Sequence, residues 1–392
     1  MNRKQRRAGG RTGGTGGRIT DPAGDARDPI DLHAAGIEAF RAGDLEMAAG
    51  LIAQAIAADG QKANFHYNLA IVLKARGLLQ EAAASYERAI ALKPDYADAH
   101  NNLGNVFKAL GRPDKARASF EQALRFKPGN ADTHYSLGVL CRDAADHEGA
   151  ARHFQNCLAQ DPADSRGAAM LLAHLGRRDA PDQTPQAQLQ KIYDVRAQFW
   201  DQERYFGHAL VAGALKAHAP QAKLKILDIG CGTGLAGALV RPLAGRLDGV
   251  DLSPAMLEKA RGKRVYDGLY QADILSFLSE HKDGYDAILG AATLIHFGDL
   301  RTLFQATALS LRDQGLFVFT LFPNNTGSDF AVAPDDRLAQ SGCFGHSPAY
   351  VERLASQNGF SVRALEKVIH EHDQDNNPIP GLLVVLRRDH GA

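Results

Sequence analysis

Between residues 29 and 164, small and apolar positions recur with a period of 34 residues. Three windows starting at Ala63, Ala97 and Ala131 align without gaps, and Pro94, Pro128 and Pro162 close them in register. Ala82, Ala116 and Ala150 keep the same phase, as do Tyr86, Phe120 and Phe154. A weaker window from Pro29 places Gly36, Gly43, Ala48 and Ala55 in register, with Gly60 where the others have proline. Each window predicts a helical hairpin. Its first helix carries Leu69, Leu103 or Leu137, followed by Ala70, Gly104 or Gly138, which are small enough to admit a second helix. Gly77 and Gly111 mark the turn between helices, where positive φ costs glycine little, and Ala144 is read at that place in the third window. SRGAAMLLAHLG (165–176) predicts a final capping helix.

The period breaks at 176–190, a Pro-, Gln- and charge-rich stretch that reads as a domain boundary. Thr184 and Pro185 read as the N-cap and first turn of a new helix. From 223 the pattern becomes short apolar runs alternating with helical segments. KLKILDIG, RLDGVDLS, DGLYQAD, GYDAILGA and QGLFVFTLF predict five strands with helices between them, hence a doubly wound sheet. FSVRALEKVIHE and GLLVVLRRD flank the turn DQDNNPIPG and predict a closing antiparallel pair.

The 34-residue phase resembles the tetratricopeptide repeat. The resemblance implies a repeat domain over 29–176, with repeats near 29–62, 63–96, 97–130 and 131–164 and a cap over 165–176. Such repeats stack into an α superhelix with a concave face. The sixth position of the first helix reads Asn68, Asn102 and Ser136. In some arrays of this family, asparagines there hold the backbone of an extended peptide, and one amide offers both donor and acceptor. A peptide-binding ladder and a plain solvated helix face both remain open. A protein or peptide partner is expected if the ladder is real.

LDIGCGTGLAG (227–237) joins the first strand to a helix and holds two motifs. One is G-x-G-x-x-G from Gly232, a dinucleotide phrase; the other is D-x-G-x-G-x-G from Asp228. The surroundings resemble class I S-adenosylmethionine-dependent methyltransferases over about 191–392, with 177–190 as linker. The resemblance implies a Rossmann-like, seven-stranded sheet with an antiparallel last strand, and S-adenosylmethionine as cofactor. It places Asp228, Gly230, Cys231, Gly232 and Gly234 around the cofactor's amino-acid part and sugar. Asp251 matches the acid that takes the two ribose hydroxyls, and LSPAML follows it with Leu252 and Met256 beside the ligand. Asp273 matches the acid at the adenine amino group, Ile274 lies on the ring, and Ala291 follows the fourth strand. Tyr193 matches a lid position whose hydroxyl reaches the cofactor's carboxylate. The smaller group of predicted methyltransferases with N-terminal repeats is also similar, through YDVRAQFWD, IHFGDL and GCFGHSPAYVERLASQNGF. That group usually has arginine where Cys343 stands, so the acceptor is expected to differ if that position touches it.

For the chemical step His296 and His346 are the candidates, since a neutral imidazole accepts a proton near neutrality. Each has a bland alternative as a packed or capping histidine. No N/D-P-P-Y/F phrase follows the fourth strand, which lowers amide or ring nitrogens as acceptors. Phe199, Trp200, Tyr205 and Phe206 read as packing aromatics. The four cysteines have no metal-ligand spacing and read as reduced, so no metal site is expected. Formal net charge is zero, which argues against a broadly cationic nucleic-acid binder. The first twenty residues hold six Arg or Lys, no acid and many glycines, and 1–28 reads as a disordered basic tail. No apolar run approaches a membrane span, and a cytoplasmic protein is expected. Two accounts stand at this point: a methyltransferase, acting on a recruited protein or on a small molecule, and a repeat-based scaffold with a vestigial second half.

Overall fold

The computed structural model describes residues 28–202, 205–219, 223–282, 284–373 and 375–389, so the basic tail through residue 27 lies outside the described residues. The chain divides into two compact units, with the boundary between Gly129 and Asn130.

The first unit holds three helical hairpins: α1 (Pro29–Arg41) with α2 (Leu45–Ala58), α3 (Ala63–Ala75) with α4 (Leu79–Leu92), and α5 (Ala97–Ala109) with α6 (Pro113–Phe126). Gly43, Gly77 and Gly111 turn the hairpins at φ of 84°, 78° and 68°. A Cβ on Gly104 would lie 2.6 Å from the Phe120 ring, and one on Gly36 would lie 2.6 Å from Ile52. Glycine at the hairpin contact therefore lets a large side chain of the second helix lie flat on the first.

The second unit begins with a fourth hairpin, α7 (Ala131–Asp143) and α8 (His147–Gln160), followed by α9 (Ala168–His174). Gly138 repeats the contact, with Phe154 2.5 Å from where its Cβ would be. The left-handed turn residue is Ala145, at φ 59°, one place beyond the Ala144 read from the sequence. A Cβ in that region costs roughly 1–2 kcal/mol.

The expected linker is built into the fold. The Thr184 hydroxyl donates to the Gly342 carbonyl instead of capping a helix, and Gly298 and Asp299 donate to the Asp182 carbonyl. Helix α10 (Gln186–Arg196) and a short turn (Trp200–Gln202) lead to α11 (Gly207–His218). Gln188 is buried, and its Nε2 donates to the Gln340 carbonyl. Gln188 also packs on Gly167, where a Cβ would fall 2.2 Å from its amide nitrogen.

The sheet follows: β1 (Leu224–Ile229), α12 (Leu235–Val240), β2 (Ala244–Asp251), α13 (Pro254–Lys263), β3 (Gly268–Gln271), α14 (Ile274–Glu280), β4 (Tyr285–Gly290), α15 (Arg301–Ser310) and β5 (Leu311–Pro323). Then come β6 (Phe330–Val332), α16 (Asp336–Gln340), β7 (Phe344–His346), α17 (Pro348–Gln357), β8 (Phe360–His372) and β9 (Pro378–Arg388). Seven strands run in the order β3–β2–β1–β4–β5–β9–β8, with β9 antiparallel to β5 and β8. Among the described residues two short strands extend this expected seven-stranded order to nine, since β7 pairs with the tip of β5 and β6 pairs with β7. One buried cluster around Leu227, Ile288 and Phe317 covers one face, and another around Ile226, Leu289 and Val318 covers the other. Both faces of β1, β4 and β5 are therefore dry, as parallel strands between helix layers require. Among the described residues no helix is long and apolar enough to cross a membrane.

The glycine contacts make one substitution act with opposite signs. Gly104→Ala drives a methyl into Phe120 and is expected to cost about 1–2 kcal/mol net of the helix-propensity gain. Gly50→Ala, exposed on α2 with nothing within 4 Å of the added carbon, is expected to be neutral or to stabilise by about 0.5–1 kcal/mol. Denaturant midpoints followed by circular dichroism decide this, and equal shifts would refute the contact argument.

Candidate functional site

The carboxyl ends of β1–β4 open onto a cavity of about 980 Å3, mouth included, in the size range of sites for ligands larger than a metabolite fragment. The loop after β1 shapes its floor. Gly230, Gly232 and Gly234 all have positive φ (64°, 55° and 89°), which explains their alternation in the sequence. A Cβ on Gly230 would lie 2.4 Å from the Thr293 hydroxyl, and one on Gly234 would lie 3.0 Å from Tyr266. On Gly232 it would meet only Trp200, at 3.8 Å, so that backbone lies open to a ligand.

Twelve of the fourteen cofactor and catalytic positions named from the sequence share this cavity. Tyr193, Asp228, Gly230, Cys231, Gly232, Asp251, Leu252, Met256, Asp273, Ile274, Ala291 and His296 line it. Gly234 does not line it; it starts α12 and packs on Tyr266 and Ala260. His346 does not line it either. It is fully buried, and its Nε2 donates to the Phe297 and Gly298 carbonyls at 2.8 and 3.1 Å. The catalytic reading of His346 is corrected to a structural one: it ties β7 to the loop before α15.

Asp228 is 1 % exposed. Its Oδ2 accepts the Tyr266 hydroxyl at 2.7 Å, while Oδ1 is buried with no partner among the described residues. Burial pushes this carboxyl up to about 7, against the opposing Tyr266 hydrogen bond. Asp251 accepts from the Gly232 and Ser253 amides, both at 2.8 Å, and burial raises it too. Its oxygens keep lone pairs for a ligand, since a carboxylate offers about four acceptor positions. Asp273 caps α14 and accepts from Gln186 Nε2 at 2.8 Å. Burial pushes the Cys231 thiol well up, so no thiolate is available there.

The segment 183–202 roofs the cavity and is tied to all four strand-end loops. Gln186 bonds Asp273, Asp194 accepts from the Ser253 hydroxyl at 2.6 Å, and Asp201 accepts from Thr233 and from Lys263. Tyr193 donates to His296 Nε2 at 2.6 Å, while His296 Nδ1 donates to the Gly342 carbonyl at 3.0 Å. Burial lowers His296 to about 4, so it is neutral with its proton on Nδ1. Phe199 and Phe206 are largely exposed, whereas Trp200 and Tyr205 line the cavity.

A second cavity, about 1460 Å3 with its mouth, shares Tyr193, Trp200, Tyr205 and Ala292 with the first. Cys343 lines it, as do Arg196, Phe322, Arg337 and Glu371. Ala292 at this wall has φ 55°, a strained place for a residue with a Cβ. Thr184, Gln186, Tyr205, His208 and Ala292 carry no sequence signal of this kind.

In the repeats, Asn68 Nδ2 donates to His33 Nε2 at 2.8 Å, and Asn102 Nδ2 donates to the Tyr67 hydroxyl at 3.0 Å. Both asparagines therefore bond the ring of the preceding hairpin, 35 residues back. Ser136 is half-buried on α7.

Family profiles match at three places: a TPR repeat over residues 72–111, a tetratricopeptide repeat over 97–130, and a methyltransferase domain over 227–317. The biotin biosynthesis bifunctional protein BioHC of Saccharophagus degradans is 28 % identical over 199 residues, 47 % of this chain and 35 % of that protein. The ubiquinone biosynthesis O-methyltransferase of Bartonella bacilliformis is 35 % identical over 119 residues, 29 % of this chain and 47 % of that protein. The chain thus spans less than half the length of these two relatives. A Burkholderia thailandensis 1,6-didemethyltoxoflavin-N1-methyltransferase structure is 19 % identical, with 52 % of this chain and 87 % of that one covered and a TM-score of 0.41. The chain contains tetratricopeptide repeats and, after them, a class I S-adenosylmethionine-dependent methyltransferase domain.

The half-paired Asp228 predicts a pH signature. Its folded-state pKa is raised, so the native state holds this proton more tightly than the unfolded chain does. Stability therefore falls as pH rises from about 4 to about 7 and is level above. The effect is on the order of 4 kcal/mol at most. Asp228→Asn removes it: relative to wild type the variant gains melting temperature between pH 5 and pH 8. Parallel pH–stability curves would refute the assignment.

Proposed function

We propose that this chain binds S-adenosylmethionine in the first cavity and directs its methyl group to an acceptor held in the second. The repeats serve to recruit a protein or peptide that is, or presents, that acceptor. The observation that carries this reading is the unpartnered Asp228 oxygen beside three left-handed glycines. A buried carboxylate with empty lone pairs suits a ligand that brings a cation or strong donors, as the α-ammonium of this cofactor does. A dinucleotide pyrophosphate would instead put like charge against it.

When bound, the cofactor supplies an electrophilic methyl on a sulfonium. The protein's part is placement and exclusion of water. Asp251 offers lone pairs to a ribose diol, and Asp273 and Ile274 lie at the far end for the base. Tyr193, Trp200 and Tyr205 form the wall shared by both cavities, so an acceptor atom that reaches the methyl has to pass these rings. His296 holds the Tyr193 hydroxyl as an acceptor, which orients the phenol oxygen at that wall. The curated relatives named as O-methyltransferases put oxygen acceptors first in a screen. In the repeats, one amide donor of Asn68 and of Asn102 is engaged between hairpins. A peptide there would rely on the remaining amide groups, which supports recruitment through a weaker ladder than the motif implies.

Calorimetric titration of the full chain with S-adenosylmethionine is expected to show saturable binding that Asp251→Ala weakens about tenfold or more, the weight of hydrogen bonds to a charged group. Radiolabelled methyl transfer to proteins retained by residues 28–176 then tests the acceptor class. A folded protein that binds no cofactor at millimolar concentration would sink the enzyme reading.

A further inference from the structure

Where β8 reaches the second cavity its pairing is irregular. Ile369 pairs with Pro380 and Glu371 with Ile379, so His370 is an extra residue that β9 does not oppose. A bulge of this kind re-aims the side chains around it. His370 is fully buried, with the Phe322 ring at 4.8 Å and the Thr320 hydroxyl at 3.0 Å. Gly381 makes the room, since a Cβ there would fall 2.7 Å from His370 Cβ. Glu371, the next residue, lines the second cavity. Its backbone is fixed on both edges, by Ile379 of β9 and by an isolated bridge to Tyr205.

Three carboxylates and two guanidiniums line this cavity. Asp335 and Asp373 share Arg337, at 3.7 and 3.5 Å. Arg196 lies over the Trp200 ring, 4.8 Å from its centroid. The Glu371 side chain is 26 % exposed, and its ion-pair contact among the described residues is His370 Nδ1, at 3.8 Å. No lysine or arginine pairs with it there. Cys343 nearby is an uncharged neighbour, its thiol held above the ordinary range by burial and then by the Glu371 charge. The buried Tyr205 hydroxyl, without a partner among the described residues, belongs to the same wall. A carboxylate partly removed from water and left without a fixed cation suits a ligand that brings one. The rings of Trp200, Tyr205 and Phe322 add faces that attract a cation and apolar area for its stem. An anionic acceptor would meet a second negative charge, and a neutral one would leave Glu371 uncompensated. We propose that the second cavity takes an acceptor carrying a primary aliphatic amine, with its ammonium held on Glu371. This rests on the cofactor reading above and narrows the acceptor, placing amines ahead of the oxygen acceptors with which a screen would otherwise begin. For transfer, the ammonium gives a proton to the Glu371 carboxylate. The freed nitrogen pair then bonds the methyl carbon as the methyl–sulfur bond breaks, and that bond's electrons stay on sulfur.

The test uses three probes with one ring and three different ends: 2-phenylethylamine, 2-phenylethanol and 3-phenylpropionate. Trp200 is the chain's one tryptophan and lines both cavities, so its fluorescence reports their occupancy. The full chain is first saturated with S-adenosylhomocysteine, which fills the first cavity and keeps the amine from Asp228. The amine is then expected to bind about tenfold or more tightly than the alcohol, and the acid weakest. Glu371→Gln, which keeps the side chain's shape, is expected to bring the amine down to the alcohol's affinity and to leave S-adenosylhomocysteine binding unchanged. Glu366→Gln, exposed on the same strand, changes neither. An alcohol or acid that binds as tightly as the amine to wild type would overturn the amine assignment. So would an order that survives Glu371→Gln, or no response to any of the three at millimolar concentration. These outcomes leave the cofactor reading intact, whereas failure to bind S-adenosylhomocysteine in the first step is the failure of that reading.

Discussion

A carboxylate buried at the tip of β1 with half its hydrogen-bonding capacity unmet is the constraint around which the second unit is arranged. Removing Asp228 from water is costly, and one phenol, Tyr266, meets only part of that cost. The rest of the local structure keeps the remaining oxygen available rather than satisfied. The glycines after it take left-handed backbone, and the Gly232 amide turns to Asp251 while those of Gly230 and Gly234 bond the Val250 and Cys231 carbonyls. Thr293 fills the space that a side chain at Gly230 would need and Tyr266 crowds the one at Gly234, whereas the space beside Gly232 is open. Fixing the loop backbone and the free oxygen through the fold's own contacts preorganises the site for a ligand.

What could be read from the sequence was what is local. The 34-residue phase survives because each hairpin keeps a small residue on its first helix where the second helix packs, seen as Gly36 against Ile52, Gly104 against Phe120 and Gly138 against Phe154. The strand-end acids and glycines were legible because a turn of that backbone geometry admits few residue types. What escaped depends on partners far along the chain. Thr184 looks like a helix cap until Gly342, 158 residues on, offers its carbonyl. His346 in a glycine-rich loop looks the same whether it faces a cavity or ties down the Phe297 carbonyl. Tyr205 and His208 read as ordinary packing, because an unmet hydrogen bond leaves no mark in a sequence. The two extra strands were missed because each is three residues long, β7 pairing only with the tip of β5 and β6 only with β7.

The asparagines of the repeats carry the same lesson in reverse. Their position in the period suggests a groove for a peptide backbone, yet Asn68 and Asn102 first bond the rings of the preceding hairpins. A single amide can serve both purposes, since it has two donors and an acceptor. In this array the asparagines thus contribute to stacking as well as to any surface they offer.

The roof over the first cavity is moored unevenly. Near Thr184 and Tyr193 it is held by buried, uncharged bonds to Gly342 and His296, which salt barely touches. At its other end the Asp201–Lys263 ion pair lies half in solvent. Dissolved ions screen an exposed pair and leave buried bonds intact. The Trp200 end is thus the salt-sensitive end of the roof, where Asp201 keeps only the Thr233 hydroxyl as an uncharged partner. Added salt then loosens one end of a wall whose Gln186, Tyr193 and Trp200 face the cavity, and leaves the other end in place.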